Sequence, residues 1–246
     1  NLSEKQVIKL QLSKEFFDQN SQEAATGASV KVTASDGKTY NFTDLDNNGE
    51  YTWSDSVLVH LGIDYSLEIN YNGQTYTSTS MANPVPVIDS LNFTFTAAGV
   101  GSPTGVYSAE FFATDIPNRQ DFYRARVFRN GELDTRKGGI VVTVDGAFGA
   151  GNDGLQFIFP IRVGLNDREA PYQLGEVVKF ELMSINKEVY FFFNQVASQI
   201  NNGGLFAVPP SNVRTNIVSS STESAKKAIG MFSVLMVSSF EKTVAE

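Results

Sequence analysis

The sequence contains no cysteine and only one histidine, His60, among its 246 residues. Without cysteine the chain cannot form disulfides, use a thiol nucleophile or build a cysteine-based zinc site. A single histidine leaves almost no material for a histidine-rich metal centre or a Ser-His-Asp triad. We therefore expect the chain not to be an enzyme, and we expect no cofactor unless a calcium ion binds.

Positive charge and long apolar runs are also scarce. The 27 acidic and 19 basic side chains give a net charge of −8, which argues against nucleic acid as a partner because phosphate binding needs a basic surface. A helical membrane span needs about 20 apolar residues. The run IGMFSVLMVSSF (229–240) is the nearest approach and is far shorter, so we expect no membrane-spanning segment.

Apolar and aromatic residues are abundant, at 41% and 12% of the chain, which is enough to build a folded core. Alternating runs separated by the turn signals Asp36-Gly37, Asn72-Gly73 and Asn130-Gly131 predict short strands joined by hairpins. Their spacing is typical of β-sandwiches. Pro84 and Pro86 cannot donate to a central ladder, and we place a domain boundary there, giving domains 1–83 and 84–246. The run 228–240 is predicted to be a strand of the second domain.

One amphipathic helix is predicted over about residues 185–201. The apolar residues that recur at helical spacing are Ile185, Val189, Phe192, Phe193, Val196 and Ile200. Ser184 is the predicted N-cap, and Gly203 and Gly204 are the predicted stop. The apolar face is wide, which favours packing on a sheet over docking to a partner.

Several blocks of the second half follow one another in a characteristic order: PVPVIDSLNF, DFYRARVFRNGE, FELMSINKEVYFFF, GGLFAVPPSNVRTNI and IGMFSV. In this order they resemble an uncharacterised, domain-of-unknown-function family of exported Bacteroidota lipoproteins, encoded beside TonB-dependent receptors. The resemblance covers nearly the whole chain. It implies a non-catalytic accessory protein, exported to the outer membrane or cell surface, that assists a TonB-dependent transporter in nutrient binding or uptake.

The first half, GASVKVTASDGKTYNFTDLDNNGEYTW, resembles transthyretin-like and carboxypeptidase-regulatory-like domains. This implies an N-terminal transthyretin-like (Ig-like) β-sandwich over 1–83, followed by a family-specific β-sandwich over 84–246 that carries the helix. The family's lipidated cysteine and the first strand that precedes VIKLQL have no counterpart here, so we expect either a processed or trimmed chain or a first strand that is supplied from elsewhere. An incomplete sandwich suggests an alternative function: a structural or adhesive surface protein assembled by strand donation or within a larger complex.

A calcium-binding loop is one candidate functional site. Asp44, Asp46, Asn48 and Glu50 place oxygen donors at alternate positions, as at the start of a calcium loop. The same residues are equally typical of a turn in which Asp and Asn cap the backbone.

Two further groups are candidates for contact with a ligand or partner. Arg124, Arg126 and Arg129 belong to a basic stretch that also includes Arg119, Arg136 and Lys137. They are suited to bind an anionic ligand or a partner's carboxylates, or to form cross-strand ion pairs on a solvated strand face. In the loop GGLFAVPPSNV, the exposed contacts with a partner are predicted to be Leu205, Phe206 and Pro209.

Overall fold

The computed structural model describes residues 5–14, 20–53, 59–99, 105–135, 140–144, 153–167, 169–200, 202, 213–223 and 227–245. The fold is mostly β, with several antiparallel sheets and one long helix, which confirms the predicted fold class. The chain divides into two compact units. The first is Asn1–Ala82 with Asn212–Val234, and the second is Asn83–Ser211 with Leu235–Glu246.

In chain order the described elements are β1 (Gln6–Lys9), β2 (Ser29–Ala34), β3 (Thr39–Phe42), β4 (Glu50–Trp53), β5 (Asp64–Tyr71), β6 (Gln74–Met81), β7 (Ile88–Thr96), β8 (Val106–Ala113), β9 (Phe122–Arg129), β10 (Glu132–Leu133), β11 (Val141–Val144), α1 (Phe159–Arg162), β12 (Val177–Ile185), α2 (Lys187–Ile200), β13 (Val218–Ser219) and β14 (Val237–Thr243).

The first unit contains a two-stranded sheet, β1-β4, and a five-stranded sheet in the order β13-β6-β5-β2-β3. The predicted hairpin turn between β5 and β6 is present, because Asn72 and Gly73 both adopt positive φ, at 47° and 72°. Alternate strand residues point into one core, as the period of two predicts. The buried core residues are Val30, Val32, Ala34, Tyr51, Tyr65, Leu67, Ile69 and Phe232.

The second unit contains the two-stranded sheet β7-β8 and a five-stranded sheet in which β10-β9-β12-β14 form the main path and β11 also pairs with β9. Strand β12 is buried on both of its faces. Val178, Phe180 and Leu182 join the main core, where Phe180 stacks on Phe111 at 4.4 Å. Glu181 points to the opposite face and is buried there.

The segment 212–234 corrects the predicted domain division, which places every residue after 83 in one domain. This segment belongs to the first unit. Phe232 lies in the first core, and the Asn216 side chain holds the Phe232 backbone with bonds of 2.9 and 2.7 Å. The apolar run 228–240 is therefore divided between the two units, and only its last residues form part of β14. Periodicity marks a run as buried but does not say in which core.

Helix α2 confirms the predicted helix, but its start corrects the predicted cap. Ser184 still belongs to β12, where it is 1% exposed, so it cannot be the N-cap. The strand continues to Ile185, which is paired with Phe122 of β9. The carbonyl of Asn186 then accepts the first helical hydrogen bond, from the Tyr190 N–H at 3.0 Å. The predicted stop, Gly203 and Gly204, lies outside the described residues.

The helix packs on the face of the five-stranded sheet that points away from the main core. Val189 is buried, and the Tyr190 ring lies 5.1 Å from the ring of Phe122 on β9. One turn further along, Phe193 lies against Arg124 of the same strand. The helix therefore covers the part of β9 that holds Phe122 and Arg124.

Replacing Phe232 by Ala tests the corrected division. Trp53 is the only tryptophan and lies in the first unit, so its fluorescence reports the unfolding of that unit. Truncating a buried phenylalanine to alanine lowers the unfolding free energy by about 3 kcal/mol or more. We therefore expect the urea midpoint of the Trp53 fluorescence transition to fall. The control Phe191→Ala, at a side chain on α2 that is 36% exposed, should leave this midpoint nearly unchanged. An unaltered transition in the Phe232 variant would contradict the assignment.

Candidate functional site

The outer face of the five-stranded sheet combines charges with aromatic rings. Arg124, Arg126 and Phe128 alternate along β9 and point away from the main core. The antiparallel register places Glu181 opposite Arg126 and Lys179 opposite Phe128. We call this surface the arginine face; its residues are Arg124, Arg126, Phe128, Lys179, Glu181 and Phe193.

Arg126 forms the ion pair that the sequence suggests, but the pair is buried rather than solvated. Glu181 is 1% exposed, and its Oε2 accepts hydrogen bonds from Arg126 Nε at 3.0 Å and Nη2 at 2.5 Å. Its Oε1 lies 2.7 Å from Lys179 Nζ, an ion-pair contact without hydrogen-bond geometry. A carboxylate removed from water needs such partners. Arg126 and Lys179 therefore neutralise Glu181.

Arg124 has no such partner. Its guanidinium makes no hydrogen bond or ion pair with any described residue, and its Nε is fully buried. The guanidinium carbon lies 4.0 Å from the centre of the Phe193 ring. This cation–π contact attracts the charge, but it leaves the N–H donors in the guanidinium plane unsatisfied.

The surroundings of Arg124 disfavour the positive charge on its guanidinium. Burial, followed by the nearby charge of Arg126, lowers the pKa of Arg124 to about 10. Buried polar groups in native proteins are normally hydrogen-bonded, so an exception calls for an explanation, and a functional site is one such explanation. An anion placed beside Arg124 would remove both the unmet hydrogen bonds and the uncompensated charge. Arg124 is therefore the strongest binding candidate among the described residues.

Arg129, the third predicted arginine, lies on the opposite face of β9 and does not join this group. It pairs with Glu176, with an Nη2–Oε2 distance of 2.6 Å and a second contact from Nε to Oε1. It also donates to the carbonyls of Ala170 at 2.8 Å and Pro171 at 3.1 Å. These bonds fasten the segment before β12, so Arg129 has a structural role.

The calcium candidates form a hydrogen-bonded turn. The Asp44 carboxylate accepts two backbone N–H groups of the loop, at 3.1 and 2.9 Å. Asn48 Oδ1 accepts from the Glu50 N–H at 2.9 Å, and Glu50 Oε1 accepts from Lys9 Nζ at 3.1 Å. Asp46 is exposed. Within the described part of the chain, no three His, Cys, Asp or Glu side chains are grouped to hold a metal ion.

The loop candidates Leu205, Phe206 and Pro209 lie outside the described residues, as do Arg136 and Lys137. Sequence reasoning missed Glu181 and Phe193 as members of the arginine face. Only the strand register and the position of the helix bring these two residues to Arg126 and Arg124.

Two buried acids form a second charged cluster in the same unit. Asp121 is 2% exposed, and its Oδ2 lies 2.7 Å from Arg119 Nε. The Tyr123 hydroxyl donates to Asp115 Oδ1 at 3.2 Å. Burial raises the pKa of Asp121, Arg119 opposes this shift, and the charge of Asp115 adds to it. Because Asp115 and Asp121 follow β8 and precede β9, the cluster anchors the connection between these strands.

A polar groove of about 390 Å³ lies on the five-stranded sheet of the first unit. Its charged side chains, Lys31 and Glu68, already pair with each other at 3.2 Å. The hydroxyls of Ser66 and Thr79 lie 3.5 Å apart, also within hydrogen-bonding distance. The two charged side chains of the groove therefore neutralise each other, in contrast to Arg124.

A family model described as "Domain of unknown function (DUF4249)" matches residues 1–241. The chain belongs to the DUF4249 family. This confirms the predicted membership of an uncharacterised domain family over the whole chain. No curated protein and no solved structure matches the DUF4249 chain.

In the described residues of the DUF4249 chain, no helix has the length and apolar character needed to cross a membrane. The longest of them, α2, has 14 residues.

Replacing Asp121 by Asn tests the acid cluster of the DUF4249 chain. Because the folded pKa of Asp121 is raised above its usual 3.8, its protonated form favours the fold. This contribution is complete below the unfolded pKa and is lost as pH rises through the folded pKa. We expect the unfolding free energy of the wild type, relative to Asp121→Asn, to fall as the pH rises above the usual pKa of 3.8, as measured by urea titration.

Asp36→Asn is the control with the opposite sign. The Lys38 backbone N–H, the largest cause, lowers the pKa of the exposed Asp36. The relative stability of the wild type should therefore rise with pH in this comparison. A difference between wild type and Asp121→Asn that stays constant with pH would show that Asp121 is not perturbed as described.

Proposed function

We propose that this DUF4249 protein is a non-catalytic accessory protein of the outer-membrane surface that works with a TonB-dependent transporter in binding or taking up a nutrient. The motif blocks that resemble exported Bacteroidota lipoproteins support this role. One of them, DFYRARVFRNGE, forms β9 and the turn after it, and so supplies both Arg124 and Arg126. The block that gives the resemblance is thus also the strand that carries the candidate site.

The proposed binding role rests on the guanidinium of Arg124, which has no hydrogen-bond or ion-pair partner among the described residues. A largely buried guanidinium that stacks on an aromatic ring is suited to recognise an anionic group. By itself it provides no nucleophile or general base at neutral pH. The composition supports binding over catalysis as well, because the chain has no cysteine and one histidine.

Purification from the native membrane tests the proposed partner. The chromosomal gene would carry a C-terminal tag, and cells of the encoding bacterium would be crosslinked before detergent extraction. We expect a TonB-dependent transporter to copurify with the tagged DUF4249 protein and not with an equally abundant tagged surface protein. Recovery of the tagged protein without any transporter would contradict the proposed function.

Light scattering on the purified chain measures its oligomeric state, which distinguishes a transporter accessory protein from a structural or adhesive protein. An accessory protein of a transporter is expected to be monomeric when isolated. Oligomers made of the chain alone would instead favour a structural or adhesive protein assembled by strand donation.

A further inference from the structure

We infer that Arg124 is a binding site for a carboxylate group attached to an apolar or aromatic stem. This ligand class extends the binding role proposed above and depends on it. The site consists of the Arg124 guanidinium, the Phe193 ring and the adjoining surface of β9 and β12.

The two terminal nitrogens of the Arg124 guanidinium, Nη1 and Nη2, are the atoms that would bind a ligand. Phe193 lies against the group, with its ring centre 4.0 Å from the guanidinium carbon. The Nε atom is buried, whereas Nη1 and Nη2 are not among the buried unpaired atoms, and none of the three bonds to a described residue. Two neighbouring N–H groups at the end of an arginine match the two oxygens of a carboxylate in a bidentate pair.

The charges around Arg124 favour an anion. Arg124, Arg126 and Lys179 provide three cations on the arginine face, and Glu181 provides one carboxylate. Both oxygens of Glu181 already face Arg126 and Lys179. Glu241 of β14 lies opposite Lys179, on the far side of β12 from β9, and is exposed. Within the described part of the chain, the charge of Arg124 therefore remains uncompensated.

The apolar neighbours of Arg124 favour a carboxylate over phosphate. Its cross-strand partner on β12 is Met183, which is 3% exposed, and its stacking partner is Phe193. A phosphate dianion loses more hydration than a carboxylate on entering such a setting. An aromatic or aliphatic stem beside the carboxylate would gain contact with the partly exposed Phe193 ring.

Isothermal titration calorimetry of the full chain tests this site with defined probes. We expect phenylacetate to bind with a dissociation constant on the order of 1 mM, and its neutral isostere phenylacetamide and inorganic phosphate to bind at least about tenfold more weakly. Arg124→Met should weaken phenylacetate binding by about tenfold or more. Lys187→Met removes the same charge from an exposed position at the start of α2 and should leave the affinity within about twofold.

The source of the carboxylate is distinguished by a second pair of probes. Gly-Gly-Phe and its C-terminal amide differ only in the terminal carboxylate. Binding of the free peptide more tightly than phenylacetate would identify a peptide carboxylate as the ligand group, and the reverse order would identify a small organic acid. Either order supports the site, provided that the amide fails to bind.

Side-chain NMR keeps the test decisive if Arg124→Met does not fold. The Nε–Hε resonance of Arg124 in the wild type should shift on addition of phenylacetate and stay in place with phenylacetamide. Equal responses to the two probes, equal affinity of wild type and Arg124→Met, or tighter binding of phosphate would overturn the site. Copurification of a transporter despite such a result would leave the proposed function intact, so the two failures can be told apart.

Discussion

The buried carboxylate of Glu181 is the constraint on which the five-stranded sheet of the second unit depends. It lies in β12, a strand paired on both edges and covered on both faces. A charge in that position must be neutralised by close cations, and Arg126 and Lys179 provide them. A register slip of one residue would turn the side chains of β9 to the opposite face and separate Arg126 from Glu181. Neutralisation of Glu181 therefore helps to fix how β9 and β12 align.

The same alignment leaves Arg124 without an acidic partner among the residues that the structure describes. Two residues before Arg126 on the same face, Arg124 meets Met183 across the strands, and helix α2 adds an aromatic ring. The protein thus carries one arginine that is paired with a buried acid beside another whose charge no described residue neutralises. Natural proteins retain such local costs where function requires them. In our account, that function is recognition of an anionic ligand.

Local patterns predict much of this fold. The 3.6-residue stripe predicts α2, and the Asn-Gly dipeptides predict hairpin turns that occur with the expected positive φ. Alternation along FYRARVF alone places Arg124 and Arg126 on one face. The cap prediction at Ser184 was wrong because tertiary pairing extends β12 to Ile185. Capping preference is a local signal, and pairing with a distant strand overrides it.

Long-range placement could not be predicted in the same way. The return of segment 212–234 to the first unit depends on which of two cores receives Phe232. The ion pair of Arg126 depends on a partner 55 residues away, and the isolation of Arg124 depends on the absence of an acid at the registered position. Each of these needs the strand register, which composition and periodicity leave open.

A double-mutant cycle between Arg124 and Met183 tests the central claim, that Arg124 holds an uncompensated charge. Urea unfolding would be measured for the wild type, Arg124→Met, Met183→Glu and the double variant. If Arg124 is unpaired, Arg124→Met alone should raise stability, and Met183→Glu should cost at least about 1 kcal/mol less with Arg124 present than without it. An equal cost of Met183→Glu in both backgrounds would contradict the account.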